Sequence, residues 1–288
     1  MPSGVFQVLT GYGHEVGAAL VQHRGVQGIA FTGSTATGIR IGQMAMPTMK
    51  RLQLELGGKN PLIILADYDI EKAAEIAAVG AFFHAGQICM SGSRIIIEES
   101  IARPFAEALA HKANSLYLGD LRDSKTAYGP LINEKSLQKV QTHVQAGLES
   151  GAELLAGGHV HDGWVYEPTV LWQPAFDSVV WREETFGPVV SVVSARDVDE
   201  TITLANDSDM GLSAGILTND LQRGMNAARH IRCGAVHVGS HPFQSDALAP
   251  VGGFGMSGIG RSGGKYSVEH FTELKWLTME LGVASRPF

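Results

Sequence analysis

The feature that most constrains the fold is a regular alternation of short apolar runs with helical stretches. Residues 27–31 predict a strand, which a turn at 32–34 joins to a helix. Residues 62–65 predict a second strand, followed by an Ala-rich helix over 70–83. Strands that alternate with helices form mostly parallel sheets, because each crossover helix returns the chain to the same end of the sheet and the next strand runs in the same direction. The sequence therefore predicts an α/β fold with a mostly parallel sheet.

The same alternation continues to the end of the chain. The remaining predicted strands cover 94–97, 169–172, 189–193, 213–217 and 235–238, and the remaining helices cover 103–117, 134–150, 198–206 and 221–231. A last apolar run over 274–281 predicts a terminal strand with no partner nearby in sequence. With 288 residues and no internal repeat, the chain is long enough to bury a large core and to form about two domains.

Charge and cysteine content exclude several functional classes. The net charge is −7 and no block of Lys or Arg stands out, so we expect neither a nucleic-acid nor a membrane partner. Cys89 and Cys233 are far apart and form no CxxC motif, which excludes a disulfide framework and suits a reducing cytoplasm. The histidines lack acidic or cysteine companions at ligand spacing, so no metal site is predicted.

A candidate phosphate site lies where the first predicted strand turns into its helix. Gly33 provides the turn, and Ser34 either caps the helix or donates to a phosphate oxygen. Free N–H groups and the helix dipole favour an anion at such a position. The alternative is an ordinary capped turn that binds no ligand.

Two motifs contain candidate catalytic side chains. Cys89 follows the Ala-rich helix in a loop of small residues and is a candidate nucleophile, provided that its pKa is lowered or a base lies nearby. The alternative is a buried structural thiol, which Cys233 fits better because it leads into an apolar strand. Glu55 precedes two glycines, Gly57 and Gly58, and is either a carboxylate at a cavity edge or a solvated residue beside a loop.

A further motif, EETFGPV, pairs an acid with an aromatic ring. Glu184 could accept hydrogen bonds from ribose hydroxyls while Phe186 packs on a nicotinamide. The alternative is a helix end followed by a Gly-Pro turn into the next strand.

Taken together, the motifs resemble the aldehyde dehydrogenase superfamily. The resemblance runs along the whole chain and rests on five motifs in order: FTGSTATG, ELGGKNP, GQICMSGSR, EETFGPV and GGFGMSGIGR. It implies a partial Rossmann-like cofactor domain over 1–57 and an α/β catalytic domain over 58–258. Residues 259–288 would form a C-terminal return with an oligomerisation strand, in a homo-oligomer that is a dimer or a tetramer.

The resemblance also implies roles for individual residues. Cys89 would attack the aldehyde carbonyl to give a thiohemiacetal, with its own backbone N–H helping to bind the oxyanion. Hydride transfer to NAD or NADP would leave a thioester, and Glu55 would activate the water that hydrolyses it. The residues implied in cofactor binding are Gly33 and Ser34 at the pyrophosphate, Glu184 and Phe186 at the nicotinamide riboside, and Leu56 and Gly57 beside them.

Within the superfamily, the Cys89-Met90-Ser91 step and the ending from Gly263 onwards are similar to enzymes for aromatic aldehydes. The first residues match a point about two-fifths of the way into the family pattern. Two alternatives follow from that start: a non-catalytic subunit or fragment, and a cofactor-free esterase that uses Cys89 on activated esters.

Overall fold

The structure is a computed structural model that describes residues 1–282. In chain order its strands are β1 (Gly28–Thr32), β2 (Arg51–Glu55), β3 (Pro61–Ile64), β4 (Arg94–Glu98), β5 (Glu153–Ala156), β6 (Val160–Asp162), β7 (Val165–Tyr166), β8 (Thr169–Trp172), β9 (Val189–Ala195), β10 (Met210–Gly211), β11 (Ser213–Leu217), β12 (Ala235–Val238), β13 (Phe254–Gly255) and β14 (Gly258–Ile259). Its α-helices are α1 (Ala18–Gln22), α2 (Thr35–Ala45), α3 (Ile70–Phe82), α4 (Glu99–Ser115), α5 (Glu134–Glu149), α6 (Val179–Arg182), α7 (Val198–Asn206), α8 (Leu221–Ala228) and α9 (Gly264–Phe271).

The larger sheet has seven strands in the order β12-β11-β3-β4-β9-β8-β5. Every neighbouring pair is parallel except β5 with β8, which confirms the predicted mostly parallel sheet. Alternate residues of β3 enter opposite cores. Ile64 packs in the cluster that contains α3 and α4, whereas Ile63 packs in the cluster that contains α7 and α8. Burial of both faces explains why these strands are continuously apolar rather than alternating.

The smaller sheet has three strands in the order β1-β2-β14. β1 and β2 are parallel, whereas β14 is antiparallel to β2. Helix α2 covers this sheet and buries Ile41 and Ala45 against Leu52, Leu54 and Leu56. Because β14 lies more than 200 residues after β2, the chain returns from the larger sheet to complete the smaller one. The domain boundaries at 57 and 258 stay predictions.

Several elements differ from the sequence prediction, among them the short strands β5, β6, β7, β10, β13 and β14, which were not predicted. Strand β2 was not predicted, because the charged and polar residues of RLQLE hide its apolar positions. Helix α4 begins at Glu99 rather than 103, since Pro104 in its second turn removes only one backbone donor. The terminal run over 274–281 pairs with no strand in the part of the chain that the structure describes, so the predicted oligomerisation strand stays a prediction.

The segment over 274–281 is also the most exposed apolar stretch of the protein. Its large apolar side chains are at least 81% exposed, and they are Leu274, Trp276, Leu277, Met279 and Leu281. The last part of the predicted oligomerisation element, 283–288, lies outside the described residues. Each helix within residues 1–282 is too short or too polar to cross a bilayer.

Candidate active site

Glu55 is the last residue of β2 and not part of the glycine turn that follows. The Gln53 side chain donates a hydrogen bond to Glu55 Oε1 at 3.0 Å, which fixes the carboxylate at the end of the strand. Burial raises the pKa of Glu55, while Gln53 and the charge of Arg261 oppose the rise. A carboxylate with a raised pKa is a better general base near neutral pH.

The loop that contains Cys89 begins with an unusual reversal after α3. His84 and Ala85 both have positive φ angles, of 57° and 55°, which non-glycine residues rarely adopt. Gly86 follows with φ 66°, and a Cβ there would lie 2.1 Å from the Gly187 carbonyl oxygen. Left-handed residues outside glycine cost about 1–3 kcal/mol each and persist only where the surrounding structure imposes them. The reversal places Cys89 beside the loop that follows α6.

Asn60 holds the cysteine loop against the larger sheet, a role that the sequence analysis missed. Its Nδ2 donates to the carbonyl oxygens of Cys89 and Ser91, both at 2.9 Å. Its Oδ1 accepts from the Ser213 backbone N–H at 3.1 Å. Asn60 is only 2% exposed. A buried amide directly before an apolar strand was the available signal, because such a group must find partners.

Glu184 lies against the glycine turn that follows Glu55. Its Oε1 accepts from the Gly58 backbone N–H at 3.1 Å. A Cβ on Gly57 would lie 2.6 Å from Glu184 Oε2, so a side chain at this position would displace the Glu184 carboxylate. Burial raises the pKa of Glu184, and the Lys139 ammonium donates to the Glu184 carbonyl oxygen. Glu184 and Gly57, both predicted in the cofactor site, are therefore in contact.

The carboxylates of Glu55 and Glu184 both affect the pKa of the Cys89 thiol. Burial raises the pKa of Cys89, and the charges of Glu184 and Glu55 raise it further. Only backbone N–H groups, chiefly that of Met90, oppose this rise. Of the two conditions set for a nucleophile, the structure therefore supplies a nearby base rather than a lowered pKa.

Cys233 has the surroundings of a structural thiol. It is 9% exposed within the core cluster that contains α7 and α8, and its Sγ donates to the Ala235 carbonyl oxygen at 2.9 Å. Burial raises its pKa to about 12, with no carboxylate involved. The contrast favours Cys89 as the reactive cysteine.

Ser34 is the N-cap of α2, as the sequence predicts. Its side chain accepts from the Thr37 backbone N–H at 3.3 Å and shares a hydrogen bond with the Thr37 hydroxyl at 2.9 Å. The Gly33 N–H donates to the Glu55 carbonyl oxygen at 3.0 Å, so that particular group is not free for a phosphate. The first turn of α2 contains no acidic residue, and the exposed start of this 11-residue helix still fits an anion.

Leu56 and Phe186 differ in how they fit a cofactor. Leu56 is 5% exposed and packs under α2, where a Cβ on Gly38 would lie 2.5 Å from its side chain. Phe186 is 39% exposed with φ 57°, so its ring lies on the surface next to Glu184. The ring of Phe186 is therefore free to stack, whereas Leu56 supports the helix.

A cavity of about 610 Å³ opens beside the cysteine loop, and Met90 of that loop forms part of its wall. This volume suits a small organic molecule. Its walls combine apolar and polar side chains, among them Met90, Leu212, Val236, His237, Asp246 and Val251. Across residues 1–282, no group of three or more His, Cys, Asp or Glu side chains is arranged to bind a metal ion.

Sequence relatives agree with this arrangement. The aldehyde dehydrogenase family matches residues 1–277. The chain is 40% identical over 289 residues to a benzaldehyde dehydrogenase [NAD(+)] of Pseudomonas putida, covering all of this chain and 59% of that protein. It is 38% identical over 294 residues to a betaine aldehyde dehydrogenase of Brucella melitensis, covering all of this chain and 60% of that protein. The chain thus spans about three-fifths of the length of these relatives.

Solved structures share the fold closely. An NAD-dependent aldehyde dehydrogenase from Sinorhizobium meliloti superposes with a TM-score of 0.95 at 38% identity, covering 100% of this chain and 58% of that one. A betaine aldehyde dehydrogenase from Staphylococcus aureus in complex with NAD+ gives a TM-score of 0.88 at 36% identity, covering 91% and 53%. The motifs, the fold and these matches agree, and the chain belongs to the aldehyde dehydrogenase family.

Proposed function

We propose that this protein oxidises an aldehyde to a carboxylic acid with NAD+, using Cys89 as the nucleophile and Glu55 as the general base. The observation that carries the proposal is the convergence of two carboxylates on one thiol. Glu55 from the smaller sheet and Glu184 from the loop after α6 both act on Cys89. An acid, a second acid and a cysteine in one site match a covalent mechanism followed by hydrolysis.

The reaction divides between the two reactive side chains. Glu55 takes the thiol proton, directly or through water, and the sulfur of Cys89 forms a bond to the aldehyde carbon. A nicotinamide held beside Glu184 and Phe186 would supply the hydride acceptor, and loss of the hydride from that carbon would leave a thioester on Cys89. Glu55 first releases the thiol proton to solvent, and then removes a proton from the water that attacks the thioester. Passing this second proton to the departing Cys89 sulfur releases the acid and restores the thiol. The balance is aldehyde, NAD+ and water giving acid, NADH and a proton.

The proposed cofactor residues form one path across the site. The exposed start of α2, capped by Ser34 after the Gly33 turn, would hold the pyrophosphate through backbone N–H groups. Glu184 would accept from the ribose, and the exposed Phe186 ring would pack on the nicotinamide. Gly57 allows Glu184 to approach the turn closely. These side chains fit NAD+ or NADP+, and the relatives favour NAD+.

For the substrate we propose an aromatic aldehyde of the benzaldehyde type. The support is the 40% identity to a benzaldehyde dehydrogenase and a cavity beside Met90, with both apolar and polar walls, that is large enough for a substituted ring. A betaine aldehyde is the competing substrate, since relatives acting on it are 38% identical. Comparing kcat/KM for benzaldehyde and betaine aldehyde decides between the two.

We also propose that the protein forms a homo-oligomer through the exposed apolar segment over 274–281. Five large apolar side chains at least 81% exposed are more than a monomer normally leaves in one stretch. Light scattering of the purified chain tests this: a dimer or tetramer is expected, and a monodisperse monomer contradicts it.

The activity is tested by NADH absorbance at 340 nm with benzaldehyde, comparing the unchanged chain with Cys89→Ala. A signal that depends on Cys89 supports the proposal. A folded chain without signal contradicts it and favours a non-catalytic subunit. Release of nitrophenol from an activated ester that needs Cys89 but no cofactor would identify the esterase alternative.

A further inference from the structure

The buried side-chain amide of Asn60 holds the cysteine loop by hydrogen bonds. It makes three hydrogen bonds, two to carbonyl oxygens of the loop and one from β11 of the larger sheet. The bond from Ser213 N–H fixes the orientation of the amide. In the flipped orientation, Asn60 would place its oxygen against two carbonyl oxygens and its NH₂ against an N–H donor.

One of these hydrogen bonds is made to the peptide group that joins Cys89 to Met90. The Cys89 carbonyl, which accepts from Asn60, belongs to the same planar unit as the Met90 N–H. In a trans peptide the C=O and N–H point in opposite directions, so holding one end orients the other. Accepting a hydrogen bond at the carbonyl also polarises the N–H and strengthens it as a donor.

The Met90 N–H belongs to the residue directly after Cys89 and acts on the Cys89 sulfur by lowering the pKa of the thiol. It is the strongest of the groups that lower the pKa of this thiol, against burial and the charges of Glu184 and Glu55, which raise it. The cations Lys59 and Lys139 lower the pKa of Glu184, and neither contributes to the pKa of Cys89. Among the described residues, backbone N–H groups are therefore the donors that favour a thiolate.

We propose that Asn60 is a positioning residue for the nucleophile: by holding the Cys89 carbonyl, it turns the Met90 N–H towards the Cys89 sulfur and stabilises the negative charge there. The role of Asn60 is thus electrostatic as well as structural. It follows from three hydrogen-bond distances and the geometry of one peptide plane.

Gly58 supports the same arrangement from the other side. A Cβ on Gly58 would lie 2.5 Å from the Cys89 carbonyl oxygen and 2.7 Å from Asn60 Oδ1. The absence of a side chain at this position lets the carbonyl and the amide meet.

The test is the pH dependence of Cys89 alkylation by iodoacetamide in the full chain, followed by mass spectrometry of the peptides. Alkylation requires neither aldehyde nor cofactor, so it separates this inference, which rests on Cys89 being the nucleophile, from the proposed oxidation. In Asn60→Ala we expect the apparent pKa of alkylation to rise by about one unit, equivalent to about tenfold slower labelling below that pKa. Asn60→Ser also removes the amide without adding a charge and is expected to shift the pKa in the same direction.

The matched control is Thr169→Val on β8. Thr169 is fully buried and its hydroxyl makes two hydrogen bonds, at 2.9 and 2.8 Å, far from the cysteine loop in sequence. This variant is expected to lower the melting temperature and leave the alkylation profile unchanged. Slow labelling of the buried Cys233 verifies the fold in every sample.

The outcomes are separable. A raised apparent pKa in either folded Asn60 variant, without a shift in Thr169→Val, supports the proposal. An unchanged profile in a folded Asn60 variant overturns it, because Asn60 would then only fasten the loop. If Asn60→Ala does not fold, the uncharged Asn60→Ser decides on the same readout, because the carboxylate of Asn60→Asp would also raise the pKa of Cys89 by its charge.

Discussion

The two sheets of this protein are buried to very different degrees. In the seven-stranded sheet, Ile63 on β3 and Ile96 on β4 are fully buried at 0% exposure. In the three-stranded sheet, β1 alternates between exposed and half-buried residues, and no β1 residue is fully buried. The larger sheet has helices over both faces, whereas the buried core of the smaller one consists of six residues.

This difference in burial separates the proposed site residues into two groups. Cys89 and Asn60 are attached to the larger sheet, where dense packing fixes the loop. Glu55 and the start of α2 belong to the smaller sheet, which has a thinner core. The nucleophile is therefore held more firmly than the base and the proposed cofactor path, and the following predictions test that difference.

The largest effect is expected at the nucleophile of the larger sheet. Cys89→Ala should lower kcat for aldehyde oxidation by about 10⁴-fold or more, because the covalent route is lost. Cys233→Ala, on the same sheet, should leave kcat unchanged. NADH formation at 340 nm measures both, and equal losses in the two variants would rule out a special role for Cys89.

The next effect concerns the base on the smaller sheet. Glu55→Gln keeps the shape of the side chain but removes its basicity, and should lower kcat about 10²–10⁴-fold. Cys89 should still react with iodoacetamide in this variant. The exposed neighbour of Glu184 provides a control, since Glu183→Gln should change kcat little. Full activity of Glu55→Gln would show that another group activates the water.

The packing difference itself can be measured by truncation. Ile96→Ala in the larger sheet should lower the free energy of unfolding by about 2–5 kcal/mol, as expected for a fully buried position. Ile29→Ala on β1 should cost about 1 kcal/mol, because that side chain is only half-buried. Urea unfolding of both variants gives the values, and similar losses would contradict the comparison between the sheets.

A smaller effect is expected at the cap of α2. Ser34→Ala should lower stability by about 1 kcal/mol and weaken NAD+ binding. Asp220→Ala removes the cap of α8, whose Oδ1 accepts from the Arg223 N–H at 3.0 Å, at a comparable cost in stability. Calorimetric titration with NAD+ should separate the two, and equal affinity in both variants would count against a phosphate site at α2.

The last prediction concerns a pH dependence at His143 of α5, a helix that packs against β8 of the larger sheet. Burial, with the charges of Lys139 and Lys59, lowers the pKa of His143 from 6.5 to about 4. The unfolded chain then binds the proton first, so the free energy of unfolding should fall as pH decreases from about 6.5 towards 4. His143→Gln should make this slope shallower in urea unfolding at several pH values. An identical slope would mean that His143 is not the group responsible.

Sequence patterns predicted the larger sheet well and the smaller one poorly. The strands over 169–172, 213–217 and 235–238 match the structure residue for residue, because short apolar runs between turns are typical of strands. Strand β2 was missed because its sequence, RLQLE, is polar at alternate positions. The strand still matters for the site, because Glu55 is its last residue. The predicted pairing of the terminal run over 274–281 needs a second chain, so it stays a prediction.

The sequence motifs named candidate side chains but not their contacts. The motifs placed Cys89, Glu55 and Glu184 among the functional candidates, and the structure brings all three together. Asn60 was not singled out, because its importance comes from a hydrogen bond to Ser213, which is 153 residues away in sequence. Likewise, only the structure shows that the Gly33 N–H is occupied by the Glu55 carbonyl.

The central claim is that Cys89 becomes acylated during aldehyde oxidation. The most direct measurement is mass spectrometry of the protein after rapid acid quenching of a reaction with benzaldehyde and NAD+. The account predicts a benzoyl group on the peptide that contains Cys89, with more of it in Glu55→Gln because hydrolysis is slowed. NADH formation without any acyl group on Cys89 in either protein would contradict the account.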